Sequence, residues 1–363
     1  MDRLFEFGGG FTLASNALLA LRELGLDEAV QRQGVVLEHF AHHTSRGKEL
    51  ARWPIGDYGR KAGAPIVGIG RPELQRILAE AVGSAELRLG CAVTDFSHDE
   101  QPVIVRLDGA ESERGAALVG ADGAESAIRK RFYGGERQYS GYTTWLGAAG
   151  YADYPPDTQT QTYGNGALFG ALPIGQGKVY WYAAETVPPG GKDSDSKAYL
   201  LELFKGWEEP IEALLQATEP AQIARHDIAD LPRRASWGEG CVTLAGDAAH
   251  AMAPALGQGA GQAIEDGVIL ARHLAGAADI PAALRAYEAE RNERVHPIAR
   301  RARIQGKLMQ GDNAVMRLVR DFGFLRFAPK AAISRGFEDV LRFEPRSPST
   351  ARARHLPTPP TSR

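Results

Sequence analysis

Cysteine is nearly absent from this 363-residue chain: Cys91 and Cys241 are the only two. They form no CxxC pair, so the sequence offers neither a zinc site of cysteine type nor a disulfide framework, and it suits a reducing cytosol. Long apolar runs are missing too. No stretch of about 18 uninterrupted apolar residues occurs, which excludes an ordinary spanning helix. The start, Met-Asp-Arg-Leu-Phe-Glu-Phe, lacks the basic and apolar regions of a secretory signal. Charge of one sign is also lacking. A net charge of −3 gives no strongly basic surface for a phosphate backbone. These absences lead us to expect a cytoplasmic protein without nucleic-acid partners or stable membrane association, a monomer or homodimer. The length predicts two domains with cores large enough to need no disulfide or metal.

Glycine, by contrast, is plentiful, with 42 residues in clusters. The first cluster, Gly8-Gly9-Gly10, has too little chain before it for a strand and lacks GxGxxG spacing, so it reads as a loop and not a pyrophosphate cradle. Ser15 or Asn16 can then cap a helix to about Leu24, stopped by Gly25. Residues 35–69 read as short antiparallel strands. Arg71-Pro72-Glu73 opens a helix to about Val82, with Leu74, Ile77, Leu78 and Ala81 as its stripe. A meander of Leu87–Ala92, Val103–Leu107 and Ala117–Val119 follows. Ten aromatics fall between Tyr139 and Tyr182, against about three or four expected from an even spread, which marks a separate sheet with Val179-Tyr180-Trp181-Tyr182 as a strand. Pro188-Pro189-Gly190-Gly191 is a loop, and helical patterns return at 196–216. Helices are predicted from Gly257 to about Leu274 and over roughly 282–308. Residues 346–363, rich in Arg, Pro, Ser and Thr, read as a disordered tail.

The most informative segment runs from Thr243 to Asp266, TLAGDAAHAMAPALGQGAGQAIED. A buried strand ends in Gly246-Asp247, a proline-bearing loop follows, and alternating glycines open a helix. An Asp at a strand's carboxyl end can accept hydrogen bonds from a polyol, while glycines let a planar ring approach amides at the helix N-terminus. Those amides and the helix dipole stabilise negative charge on the ring. His250 reads as a hydrogen-bonded structural histidine, since nothing nearby in sequence completes a triad. In Leu118-Val119-Gly120-Ala121-Asp122-Gly123-Ala124-Glu125, Asp122 and Glu125 form a capping box for a helix from Ser126 to Arg131.

GDAAHAMAPALGQGAGQAIEDGVILARHL resembles the second flavin motif of the FAD-dependent aromatic-ring hydroxylases of the para-hydroxybenzoate hydroxylase type. The resemblance implies that Asp247 binds the FAD ribityl chain, that Pro254 lies beside the isoalloxazine, and that Gly257, Gln258, Gly259 and Ala260 present backbone amides to it. VGADGAESAIR is similar to the family's Asp-Gly motif, which implies a cofactor role for Asp122 alongside its capping role. Gly70-Arg71-Pro72-Glu73-Leu74 matches a segment whose Arg contacts FAD near its phosphates. The aromatic stretch, through Tyr139–Trp145 and Ala171–Trp181, is similar to the substrate sheet of the branch with zeaxanthin epoxidase and urate hydroxylase.

The implied fold is α/β: a Rossmann-like FAD-binding domain of glutathione-reductase type (1–34, 66–136, 236–290), an antiparallel substrate sheet (35–65, 137–235) and C-terminal helices (291–345). The implied function is NAD(P)H-driven hydroxylation or epoxidation of an aromatic or olefinic small molecule, with oxygen, through a flavin C4a-hydroperoxide. Flavin-dependent reduction of isoprenoid double bonds is a second enzyme class on this fold. No catalytic acid or base and no metal ligand can be named. The family's first βαβ unit, roughly 30 residues with GxGxxG, has no counterpart in the sequence as written. A parallel sheet without its central strand predicts weak or absent FAD binding. A start assigned too far downstream and a degenerate homologue are the two explanations.

Overall fold

The computed structural model describes residues 9–83, 85–97, 102–109, 112–191 and 195–344. The chain runs through β1 (Gly10–Leu13), α1 (Ser15–Glu23), α2 (Asp27–Gln33), β2 (Val35–Val36), β3 (His39–Thr44), β4 (Glu49–Trp53), α3 (Ile55–Ala62), β5 (Val67–Gly70) and α4 (Arg71–Glu80). Next come β6 (Val93–Phe96), β7 (Val103–Leu107), β8 (Ser112–Gly115), β9 (Leu118–Gly120) and α5 (Ala127–Tyr133). The aromatic-rich stretch forms β10 (Gln138–Gly150), β11 (Thr158–Tyr163), β12 (Ala167–Pro173) and β13 (Lys178–Glu185), followed by α6 (Ser196–Leu203), α7 (Ile211–Ala217) and β14 (Ala224–Asp230). The rest comprises β15 (Val242–Leu244), α8 (Asp247–His250), α9 (Gly259–Leu274), α10 (Ile280–Met309), α11 (Ala314–Leu318), a π-helix (Val319–Arg326) and α12 (Lys330–Leu341).

The largest layer is a seven-stranded sheet in the order β14-β10-β13-β12-β11-β3-β4, antiparallel except where β11 runs parallel to β3. Period-two alternation sorts its side chains. Trp145, Phe169 and Trp181 pack one face onto Leu200, Phe204, Leu214 and Leu215 of α6 and α7. Leu168, Leu172, Tyr180 and Tyr182 point the other way, into a core shared with Trp53, Tyr58, Met309, Leu325 and Leu341. This second, inner face is the one that meets the candidate site. Three smaller sheets accompany it: antiparallel β1-β5-β2, antiparallel β6-β7-β8, and the parallel pair β15-β9.

Several local expectations change. Gly10 is strand, paired with Gly70, rather than loop. A Cβ at that position would stand 2.7 Å from the Tyr180 side chain, so close packing of β1 on β13 explains this glycine, while Gly8 lies outside the described residues. Ala14 precedes α1 without any side-chain cap. Ser15 instead donates to the Ala64 carbonyl at 2.7 Å and Asn16 is buried in a polar network. Within 35–69 the chain makes a helix, α3, which begins after Pro54 and stops at left-handed Gly63. The meander begins at Val93, because left-handed Gly90 breaks the run from Leu87 and leaves Leu87 and Leu89 exposed. Its third strand is Ser112–Gly115, for Leu118–Gly120 leaves to pair in parallel with β15. The segment 346–363 lies outside the described residues.

Candidate flavin site

The carboxyl ends of β9 and β15 lie side by side, joined by the Ala245 N–H donating to the Gly120 carbonyl at 2.9 Å. In open α/β sheets this end is where ligands bind. From β15 the chain turns at Gly246, with φ 59° and ψ −142°, where glycine avoids a Cβ penalty. Asp247 follows, exposed, with no hydrogen-bond partner for its carboxylate among the described residues. Pro254 is exposed in a 3-10 turn, and left-handed Gly257, at φ 60°, swings the chain into α9. The N–H groups of Gly259, Ala260 and Gly261 have no acceptor inside the helix, as at any α-helix start.

One expected amide donor is altered by this geometry. The Gly257 N–H is already given to the Pro254 carbonyl at 2.8 Å, because the left-handed turn closes on itself. α9 starts at Gly259, not Gly257, so the amides left over belong to the residues that follow. The Gln258 side chain turns inward, 2% exposed, and accepts from Asn16 at 3.0 Å and Gln262 at 3.1 Å.

Beneath the loop lies a buried ionic network that the sequence did not announce. Glu265 and Asp266 of α9 are both fully buried. Arg291 of α10 donates through Nε to Asp266 and through Nη1 to Glu265, each at 2.6 Å, and through Nη2 to the Gln262 side chain at 2.7 Å. Asn16 donates to Glu265 at 2.6 Å, and Arg294 reaches it at 3.1 Å. The Asp266 Oδ2 takes the Gly246 N–H and contacts His250 Nε2, both at 2.7 Å. Burial alone would push the Asp266 carboxyl up, but His250, Arg291 and the Gly246 N–H hold it below the usual carboxylate range. For Arg291 burial works the other way, and Asp266 and Glu265 more than offset it, so its pKa is raised. His250 is thereby a clamp between the loop and α9.

Asp122 has a structural task. Its Oδ2 accepts from the Ala127 and Ile128 N–H groups at 2.8 and 3.3 Å, while Ser126 Oγ accepts from Arg129 at 2.9 Å. Ser126, rather than Glu125, completes the cap, and Glu125 is drawn outward to Lys130 and Arg137. Nearly buried Arg129 donates to the Ala124 carbonyl at 2.6 Å and the Ala248 carbonyl at 3.1 Å, tying the Asp122 loop to α8. Removing the cap with Ser126→Ala is expected to cost about 1 kcal/mol in urea unfolding, with a further loss when Asp122→Ala is added.

Arg71 begins α4 on the neighbouring sheet, its N–H bound to the Gly9 carbonyl at 2.8 Å. Its guanidinium lies 5.9 Å over the Phe11 ring and has no ion-pair partner among the described residues. The rim from Arg71 to the flavin loop runs along β1: a Cβ on Gly257 would be 4.0 Å from the Thr12 carbonyl. Thr12 also links the rim to the inner sheet face, donating to Gln159 at 3.0 Å. Gln159 donates to the Tyr182 hydroxyl at 3.4 Å, which donates to Gln161 at 2.8 Å. Burial pushes the Tyr182 phenol up to about 12, so it stays protonated and neutral. Gln159 and Gln161 alternate with threonines in Thr158–Tyr163, so the two amides share one face of the strand with Tyr163. Asp247, Pro254 and the start of α9 thus share one rim with Arg71, while Asp122 and Gln258 brace it.

A family model described as "FAD binding domain" matches residues 7–302 of the chain. The chain is 39% identical over 321 residues to aurachin C monooxygenase/isomerase of Stigmatella aurantiaca, covering 88% of this chain and 84% of that protein. It is 37% identical over 326 residues to chloroplastic zeaxanthin epoxidase of Oryza sativa subsp. japonica, covering 82% of this chain but 49% of that longer protein. Among solved structures, Klebsiella pneumoniae HpxO complexed with FAD and uric acid superposes with a TM-score of 0.86 at 28% identity, covering 93% of this chain and 88% of that one.

Proposed function

We propose, for a chain that belongs to the FAD binding domain family and whose relatives are FAD-dependent monooxygenases, NAD(P)H-driven hydroxylation or epoxidation of an uncharged aromatic or olefinic small molecule. The observation that carries this reading is the joining of two surfaces through Thr12: the Asp247–Ala260 rim and the neutral wall of Gln159, Tyr182 and Gln161. Asp247, whose carboxylate has no partner among the described residues, and the start of α9, whose first amides have no acceptor inside the helix, fit the ribityl and ring portions of FAD, and the weak binding expected without the first βαβ unit is read by the FAD titration below. The chemistry that FAD supplies when bound is hydride acceptance from the nicotinamide and activation of oxygen. Asp247 would accept hydrogen bonds from the ribityl hydroxyls. The start of α9 would stabilise negative charge on the ring's pyrimidine edge. Arg71, which has no ion-pair partner among the described residues, would balance the phosphates. On the sheet wall, protonated Tyr182 and two amides can orient a substrate by hydrogen bonds without demanding a charge.

Asp247→Ala is expected to weaken FAD binding by about 10- to 100-fold, the value of one or two hydrogen bonds to a charged group, while leaving the melting temperature of the flavin-free protein nearly unchanged. Titration of FAD fluorescence checks this, and equal affinity in the variant would remove Asp247 from the site. Oxygen uptake coupled to NADPH oxidation, with one oxygen gained by the substrate, tests the reaction. A substrate that instead gains two hydrogens overturns it.

A further inference from the structure

The C-terminal helices leave an apolar stripe uncovered. α11 and the π-helix form one continuous helical run from Ala314 to Arg326. Its inner side is anchored to the large sheet: Leu325 is buried, Phe324 stands edge-on to Trp53 at 5.8 Å, and Arg320 donates to the Met309 carbonyl and lies 4.7 Å over the Tyr163 ring. The outer side carries Val315, Leu318, Val319 and Phe322, with Phe327 just beyond, exposed by 70, 59, 48, 48 and 69%. Spacings of three and four place the first four on one helix face. These are five of the twelve large hydrophobics exposed among the described residues, gathered within thirteen positions.

We propose that this stripe docks the protein on an anionic lipid surface, which goes beyond the flavin reading and does not depend on it. The charges point to this occupant. Between 314 and 327 the cations on the outer side are Arg317 and Arg326, while buried Arg320 is paired at 2.7 Å with the lone acid, Asp321. Downstream, residues 345–363 contain Arg346, Arg352, Arg354 and Arg363 with no acidic residue. An apolar helix face with basic neighbours and a basic segment in the same chain is the pattern that holds proteins in the plane of an anionic leaflet. The tail itself is a poor cover for the stripe, since Leu356 is its one large aliphatic residue. A two-fold contact between copies would pair this cation-flanked face with itself and gather like charges. An interfacial helix needs a stripe and not a long run, which is why the scarcity of apolar runs suggested no stable membrane association. Tyr163 stands two residues from Gln161 on the same face of β11, so the docked segment adjoins the sheet wall at the site.

The test is flotation of the full chain, with and without added FAD, with vesicles of phosphatidylcholine, alone or mixed with phosphatidylglycerol. Binding to the mixed vesicles is expected. The triple variant Val315→Ser, Leu318→Ser, Phe322→Ser should lose on the order of a hundredfold in partitioning, and Arg317→Gln with Arg326→Gln about tenfold on mixed vesicles only. All of these positions lie outside the flavin rim, so FAD affinity and lipid-free NADPH oxidation should match the parent. Absence of flavin activity in every form would count against the flavin reading while leaving the flotation result intact. The proposal is overturned by a parent that does not float, by a triple variant that floats equally, or by a dimer in vesicle-free buffer that the triple variant dissolves.

Discussion

Arg291→Met is expected to lower the unfolding free energy by about 3–5 kcal/mol, the cost of stranding buried carboxylates whose partner is removed. Arg291 is 2% exposed and forms ion pairs with two fully buried acids, Glu265 and Asp266, at 2.6 Å each. Methionine fills similar space but returns nothing to either carboxylate. The loss is a large share of a typical domain's stability, and it falls on the scaffold that fixes the flavin loop through Gln258, Gln262 and His250. Acid should expose the same network. The Asp266 carboxyl lies below its unfolded value in the folded protein, which is about 3.9 for a free Asp. Its contribution is therefore complete above that unfolded value and disappears as pH falls through the folded one. In Arg291→Met the depressing cation is gone and burial pushes Asp266 upward, so stability should begin to fall at a higher pH than in the parent. Urea unfolding followed from about pH 7 down to pH 3 reads both effects. Equal midpoints for parent and variant would show that the ion pairs contribute nothing.

Local chemistry made the flavin segment readable. Gly246, Asp247, Pro254 and the glycines before α9 each answer a backbone demand that falls within a few residues: a turn at φ 59°, an exposed carboxylate, a left-handed stop at φ 60°. The alternation in Val179–Tyr182 was equally local, and it sorted Trp181 and Tyr182 to opposite faces of the sheet. Long-range partners were not readable in the same way. Asn16 meets Glu265 across 249 positions, and Arg291 reads as one more basic residue on a long helix until α10 lies against α9. The capping box failed for a related reason. Asp122 reaches N–H groups five and six residues on, which let Ser126 take the position that the Asp-to-Glu spacing had assigned to the pair. Leu118–Gly120 carried no mark separating a meander strand from a parallel one, because that choice is made by β15, more than a hundred residues away.

Gly170→Ala is expected to disable the substrate wall without touching the flavin rim. The Tyr182 ring lies across Gly170 on the inner sheet face, in the space a Cβ would occupy. Because Tyr182 is cross-strand to Gly170, neither backbone can shift without disturbing the β12–β13 pairing. The added methyl therefore moves the phenol away from Gln159 and Gln161, at a cost of about 1–3 kcal/mol for overpacking a well-filled position. Tyr182→Phe separates the two contributions. It keeps the ring and deletes the hydroxyl, so it should cost only about 1 kcal/mol, yet raise KM for a substrate that hydrogen-bonds the wall. Gly150→Ala, on β10 where a Cβ meets nothing within 4 Å, is the neutral control. Gly170→Ala should lose both stability and substrate affinity, Tyr182→Phe chiefly substrate affinity, and the control neither, with FAD affinity the same in all three. If the KM of Tyr182→Phe matches the parent, the phenol supports Gln159 and Gln161 rather than the substrate, and the wall's contact must come from the glutamine amides.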